Sequence, residues 1–518
     1  MPDAFPPRSK KSALGRFHRT AKTALVALTA AVFILSTFAE SFAQRGGFGR
    51  GGMGGGSIGS RNPGGDVPRN PGGIGSGGPG RVIMIPPRGP YGGPSQVVVG
   101  DDEPAPRLRR RAKHSAKKQK QKQKTQQVAD RGGFSVPPAS ERRFVANEVL
   151  LNMPAGISML ALDAIARRHR LTRLDFQEFT LTRRRLARLR INDGRPVATV
   201  IRSLQTDARI LGAQPNYLYT VQQGSAPQAA TPDPAQYALA KLRLPEAHAL
   251  ATGANVLVAV IDTTVDASHP DLAGVVTANF DATGAPDKPH AHGTGIAGVV
   301  AAHGKLTGAA PSVKVLAVHA FGSAGSDGNS MHILKGLEWA AKANANIVNM
   351  SFAGPADAEL HTMLVALRGR GIILIAAAGN AGPQARPLYP AAYPETLAVT
   401  ATDIDDKPFA QANRGTHIAV AAPGVDLLVA APQGSYQMSS GTSFAAAQIS
   451  GIAALLLERN PKLDGASIRR ILTSTARDLG PVGHDEQFGS GLADAYAAVM
   501  SAGAKSSDAS GTPAAPAH

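Results

Sequence analysis

From residue 244 onward, short continuous apolar runs bounded by turn residues alternate with longer segments whose apolar positions recur every three to four residues. Runs of the first kind, at residues 256–261, 313–319, 347–350, 372–376, 397–400 and 418–421, predict strands buried on both faces. Segments of the second kind, at 293–302, 330–343, 357–368, 443–459 and 465–475, predict helices. Such alternation argues for an α/β domain: a mainly parallel sheet with helices on both faces, and ligands at the carboxyl ends of its strands.

Upstream the rhythm is different. A strand at 145–153, a helix at 157–168, one or two Arg-rich strands within 180–191, a helix at 197–206 and a strand at 210–221 give the order βαββαβ. That order suits a small α+β ferredoxin-like sandwich at residues 144–221. The Pro/Ala/Gly-rich stretch 222–236 then reads as a linker, 237–500 as the large domain and 501–518 as a disordered tail.

Residues 1–43 combine six basic side chains, an apolar run and the small-x-small triplet Ser41-Phe42-Ala43, the pattern of a secretory signal peptide, which predicts a secreted or periplasmic protein. The alternative is an uncleaved anchor holding the protein at a membrane. Residues 44–143 are Gly/Pro-rich, then basic and Gln-rich, and predict disorder. Net charge is +17 through residue 143, +6 over 144–222 and −5 beyond, so the basic pI belongs to the N-terminal part. Specific nucleic-acid binding by the whole chain is not implied. The basic segment is a solvated tail or a weak contact with an anionic envelope surface. Cysteine is absent, which excludes a thiol nucleophile, thiolate metal ligation and disulfides.

Three positions in the large domain stand out. Asp262 follows the apolar run V-L-V-A-V-I at a strand end; its plain alternative is a turn cap. His292 lies in H-A-H-G-T-G-I-A-G, where Gly293, Gly295 and Gly298 permit close helix packing. His269, His290 and His292 raise a zinc reading, yet H-x-H without Cys or an acidic helix partner fits no common zinc pattern. Ser443 opens a small-residue apolar helix after a Gly-bearing turn, where its hydroxyl and backbone N–H should point outward; its plain alternative is an N-cap.

The segments V-A-V-I-D-T-T-V-D-A-S-H-P-D-L, H-G-T-G-I-A-G and G-T-S-F-A-A-A resemble, in order, the Asp, His and Ser motifs of the subtilisin-like proteases, and A-A-A-G-N-A-G resembles the segment carrying their oxyanion-hole Asn. The resemblance implies a serine endopeptidase with Asp262, His292 and Ser443 as triad, and Asn380 with the Ser443 N–H as oxyanion donors. Ser351-Phe352-Ala353 and Ala377-Ala378-Gly379 would then wall the pocket for the residue before the scissile bond, with Leu388 at its base, favouring small side chains. Residues 144–221 resemble the family's inhibitory propeptide, which implies a self-processing zymogen whose partners are peptide or protein substrates and its own propeptide. No cofactor is implied for the chemistry; structural calcium is common in the family, but no ligand set can be matched here. The sequence departs from the family pattern at Thr264 for Gly, Gly295 for His, and Ala447-Gln448 for Pro-His. A catalytically weak or inactive relative acting as an envelope-binding protein is therefore the alternative function.

Overall fold

A computed structural model describes residues 133–223, 236–285, 287–322 and 328–503, which fall in one compact unit, Asp102–His518. The signal-like segment, most of the Gly/Pro-rich and basic region, the central part of the linker and most of the tail lie outside the described residues.

The large domain has the expected α/β architecture. Strands β5 (Leu257–Asp262), β6 (Val276–Asp281), β7 (Lys314–His319), β9 (Ile347–Met350), β11 (Ile373–Ala377), β12 (Leu397–Thr402) and β13 (Ile418–Pro423) form a sheet in the order β13-β12-β11-β9-β5-β7-β6, and every pairing along it is parallel. Its interior strands are mainly apolar because both faces are covered. On one face lie α5 (Ala291–Ala301) and α8 (Thr442–Arg459), through Ile296, Val300, Ile449 and Ile452. On the other lie α6 (Ser330–Lys342) and α7 (Ala358–Gly369), through Leu334, Leu337, Leu364 and Leu367. Gly298 has a packing reason: a Cβ there would stand 3.0 Å from that of Ala430, so a larger residue would push α5 outward. Edge strand β6 escaped the sequence reading because its sequence, V-T-A-N-F-D, is polar at half its positions. So did the hairpin of β14 (Leu427–Ala431) and β15 (Ser435–Ser439).

The small N-terminal module comprises β1 (Phe144–Met153), α1 (Met159–Arg168), β2 (Leu171–Phe179), β3 (Arg184–Ile191), α2 (Val197–Leu204) and β4 (Gly212–Val221). Its sheet runs β4-β1-β3-β2, all antiparallel, as in a ferredoxin-like sandwich. Two expectations are corrected. The strands sought within 180–191 are a hairpin that begins earlier, at Leu171; in its edge strand Arg173 and Glu178 are exposed while Asp175 pairs with Lys335 of the large domain, so charge falls on both faces and masks the alternation. Order also begins before residue 144: Phe134 bridges to Ala213, and the Ser135 N–H donates to the Ala213 carbonyl.

The end of β4 leaves the module and enters the large domain between two short strands, β8 (Gly328–Asn329) and β10 (Phe352–Ala353), pairing antiparallel with both. The surrounding contact is polar. The Glu338 carboxylate on α6 accepts from the Thr180 N–H at 2.9 Å. Asp357 caps α7 and accepts from Gln214 Nε2 at 2.8 Å. Beside it, Glu359 is buried between Asn152 and Arg184 of the module.

Burial pushes the Glu359 carboxyl from an ordinary 4.5 up to about 7; Arg184 opposes this and Asp357 reinforces it. A raised carboxyl pKa means stability that is fully present below pH 4.5 and is lost as pH rises through 7. Glu359→Gln, made in an uncleaved Ser443→Ala chain, should therefore stabilise the docked chain at pH 8 by up to about 3 kcal/mol and change it little at pH 4. Thermal unfolding at the two pH values checks this; an equal effect at both would remove the carboxyl as the cause.

Candidate functional site

Asp262 is the last residue of β5, and His292 sits in the first turn of α5, whose N-cap is His290. Both are fully buried, with Asp262 Oδ1 2.7 Å from His292 Nδ1. The same carboxylate oxygen accepts from the Thr263 N–H at 2.7 Å and its hydroxyl at 3.1 Å, and that hydroxyl accepts from the Gly293 N–H at 2.9 Å. Thr263 therefore ties strand end to helix start. An ionised carboxylate can only accept, so the imidazole proton lies on Nδ1 and the lone pair on Nε2, which has no hydrogen-bond partner among the described residues.

Nearby acidic and imidazole groups are engaged elsewhere. Asp266 accepts from the Ser268 N–H at 3.0 Å and from the Gln433 N–H at 2.8 Å. His269 Nε2 lies 3.1 Å from the Ser435 carbonyl, and His290 Nδ1 accepts from the His292 N–H at 3.1 Å. Burial, then the neighbouring His292, holds the His290 pKa below the usual imidazole range. Among the described residues no group of three metal-ligating side chains converges.

Ser443 stands in the first turn of α8, just after Gly441. Gly441 has φ 151°, and a Cβ there would meet the Gln222 carbonyl oxygen at 2.3 Å, so this turn needs glycine for both backbone and space. The Asn380 side-chain oxygen accepts from the Thr442 N–H at 3.1 Å and its hydroxyl at 2.8 Å. This fixes the amide so that its Nδ2 lies away from Thr442, buried and without a hydrogen-bond partner among the described residues.

Ser443 was expected to face outward, but it is fully buried. Its hydroxyl donates to the Ser351 carbonyl at 2.9 Å. The cover is the chain itself: Val221 pairs with Phe352 and Thr220 with Ala353, and the Gln222 N–H donates to that same Ser351 carbonyl at 3.0 Å. Tyr219 lies in the next stretch of the groove, edge-on to Phe352 at 5.7 Å, with its hydroxyl 3.3 Å from the Pro355 carbonyl. Ala377 and Ala378 are fully buried. Leu388 is buried too, its Cδ1 2.7 Å from where a Cβ on Gly379 would be.

A family model described as the subtilase family matches residues 253–491, which include all of these large-domain residues. Subtilisin E of Bacillus subtilis (strain 168) is 36% identical over 274 residues, which is 51% of this chain and 71% of that protein. A subtilisin of Bacillus pumilus is 37% identical over 274 residues and is covered to 98%. The chain belongs to the subtilase family. It is thus a serine-type endopeptidase, a hydrolase of peptide bonds. The likeness extends to the solved structure of fervidolysin from Fervidobacterium pennivorans, described as a keratinolytic enzyme related to subtilisin, with a TM-score of 0.60 at 23% identity. That match covers 71% of this chain and 62% of fervidolysin, and it speaks to the fold.

The departures of this subtilase from the family pattern leave the backbone regular, while Thr264 Oγ1 and Gln448 Oε1 are buried without a hydrogen-bond partner among the described residues. The Thr264 carbonyl accepts from the His290 N–H at 2.8 Å, just ahead of α5. Gly295 faces Val429, and Ala447 is a fully buried residue within an unbroken α8. Sequence reasoning missed Thr263, Thr442 and Gln222. The first two flank Asp262 and Ser443 and give no signal beyond adjacency, whereas Gln222 follows directly on a predicted strand.

These contacts separate two neighbouring carboxylates. Asp262→Asn should lower kcat by about 10⁴, because the amide can present its donor to Nδ1 and reverse the imidazole tautomer. Asp266→Asn should retain most activity and lose some thermal stability. Steady-state kinetics on both variants, with circular dichroism to establish folding, decide the matter; a larger loss for Asp266→Asn reverses the assignment.

Proposed function

We propose that this subtilase hydrolyses peptide bonds through Ser443, His292 and Asp262, and that it is made as a secreted or periplasmic zymogen whose N-terminal module is an inhibitory propeptide. The observation that carries the reading is the start of α8, where the Ser443 hydroxyl and the Gln222 N–H share the Ser351 carbonyl and the Asn380 amide lies unpartnered beside the turn, while the ring of His292, bonded to Asp262, lies 5.7 Å from that of Phe444.

In this reading Ser443 Oγ leaves the Ser351 carbonyl by rotation about its Cα–Cβ bond and gives its proton to His292 Nε2 as it attacks the substrate carbonyl. The Oγ–C bond forms, and the carbonyl electron pair moves onto oxygen, where Asn380 Nδ2 and the Ser443 N–H stabilise it. Collapse breaks the C–N bond, and the imidazolium protonates the leaving amine. Water then repeats the sequence on the acyl-enzyme and regenerates Ser443. Asp262 holds the tautomer and the positive charge throughout. The chemistry calls on no metal or cofactor.

The docked module supports the zymogen reading, since it places an extended strand along the groove in the manner of a substrate. Its charge of +6 against −5 beyond residue 222 favours docking. Residues 1–43, with their signal-like pattern, support export.

Purified native chain should cut itself between Val221 and Asp233, and Ser443→Ala should stay intact under the same conditions, with intact-mass spectrometry as the readout. A serine-directed phosphonate fluoride should label the processed native protein and not the variant. Equal cleavage of Ser443→Ala in the absence of any other protease would refute self-processing.

Leu388 should limit the pocket beside Gly379. Leu388→Gly is expected to raise kcat/KM for a peptide with Phe before the scissile bond, relative to Ala, by about tenfold to a hundredfold. An unchanged Phe-to-Ala ratio would show that Leu388 does not close the pocket.

A further inference from the structure

The residue that ends the docked strand is held by its side chain as well as its backbone. Gln222 is buried, and its side chain turns back along the chain to Thr220. Its Oε1 accepts from the Asn380 backbone N–H at 2.7 Å. Its Nε2 donates to the Thr220 carbonyl at 2.8 Å and to the Thr220 hydroxyl at 3.1 Å. Both ends of the amide are thus satisfied, one by the enzyme's groove and the other by the docked strand itself.

Two contacts fix which peptide bond this residue presents. The Gln222 N–H and the Ser443 hydroxyl share the Ser351 carbonyl as acceptor. The Gln222 carbonyl oxygen stands at 2.3 Å, and Asn380 Nδ2 at 3.1 Å, from one point, the place where Gly441 would carry a Cβ. The Gln222 carbonyl therefore stands in the neighbourhood of the free Asn380 amide, and the Gln222 N–H stands one shared acceptor away from the Ser443 hydroxyl.

We infer that this subtilase selects glutamine immediately before the scissile bond, and that its own first cut breaks the Gln222–Gln223 bond. The inference rests on the endopeptidase reading and narrows it to a substrate class. In the net step the Gln222 carbonyl carbon gains the hydroxyl of water and the Gln223 nitrogen gains the proton. Selection follows from the pairing of donors and acceptors. Leu, of similar size, leaves the Asn380 N–H without its acceptor in a buried place. Glu restores an acceptor but sets a second carboxylate oxygen against the Thr220 carbonyl. Asn is one methylene short of joining the two.

The test has three arms on purified full-length protein. Mass spectrometry of the self-processed native chain should find the released module ending at Gln222. Gln222→Leu and Gln222→Glu should each slow processing at least about tenfold, the consequence of one or two lost neutral hydrogen bonds. The processed enzyme should hydrolyse peptides carrying Tyr-Thr-Val-Gln before the scissile bond with kcat/KM at least about tenfold above their Leu, Glu and Asn counterparts. Denatured casein and phosphonate labelling serve as measures of proteolysis independent of this residue. A module ending elsewhere, or Leu or Glu handled as well as Gln, overturns the glutamine inference even when casein is digested and Ser443 is labelled. Failure on casein, peptides and phosphonate together overturns the endopeptidase reading and this inference with it.

Discussion

The buried contact between Asp262 and His292 is the constraint around which the large domain is organised. A carboxylate and an imidazole removed from water must satisfy each other and their remaining hydrogen-bonding capacity, or the fold loses several kcal/mol. The chain meets part of the demand by ending a central parallel strand at Asp262 and beginning a helix at Ala291, with Thr263 bonded to both sides, and leaves Asp262 Oδ2 and His292 Nε2 without a hydrogen-bond partner among the described residues. Everything else in the region defers to that geometry. α5 must approach the β14–β15 hairpin closely, hence Gly298; α8 must deliver Ser443 from the neighbouring helix start, hence the Gly441 turn.

The contact between module and large domain has a different character. Its apolar part is the continuation of β4 between β8 and β10, with Tyr219 buried against Phe352. Around it lie carboxylates on α6 and α7, namely Glu338, Asp357 and Glu359, which receive donors from Thr180, Gln214 and Asn152. Buried charge of this kind adds less to affinity than to register, since a slip of one residue along β4 would take Gln214 away from Asp357. The register that places Gln222 beside Ser443 is thus set at both ends of the strand.

Much of this was legible in the sequence because parallel strands covered on both faces read as uninterrupted apolar runs. The runs at 347–350 and 418–421 mark strands within a residue or two of their ends. The Asp, His and Ser segments were legible for a further reason: each sits where strand or helix periodicity begins or stops. What escaped was structure whose cause is tertiary. β2 carries charged residues at an edge and has no clean alternation, and β6 pairs only on one side. Ser443 was read as exposed because nothing local in G-T-S-F indicates that a segment more than two hundred residues earlier will lie over it. Gln222 was assigned to a linker for its company of Gln, Gly and Pro, although its bonds belong to the groove.

The described contacts of the module with the groove are made by residues up to Gln222. Severing the chain beyond that residue therefore removes no strand pairing, no capped helix and no buried aromatic contact. In the proposed self-processing, what changes is molecularity. Before such a cut, the strand would compete for the groove as a tethered segment at a local concentration of about millimolar order; after it, the same strand would be a separate molecule subject to dilution. Cutting and opening would then be distinct events, and the interval between them would depend on how dilute the surroundings are as well as on how fast the bond was broken.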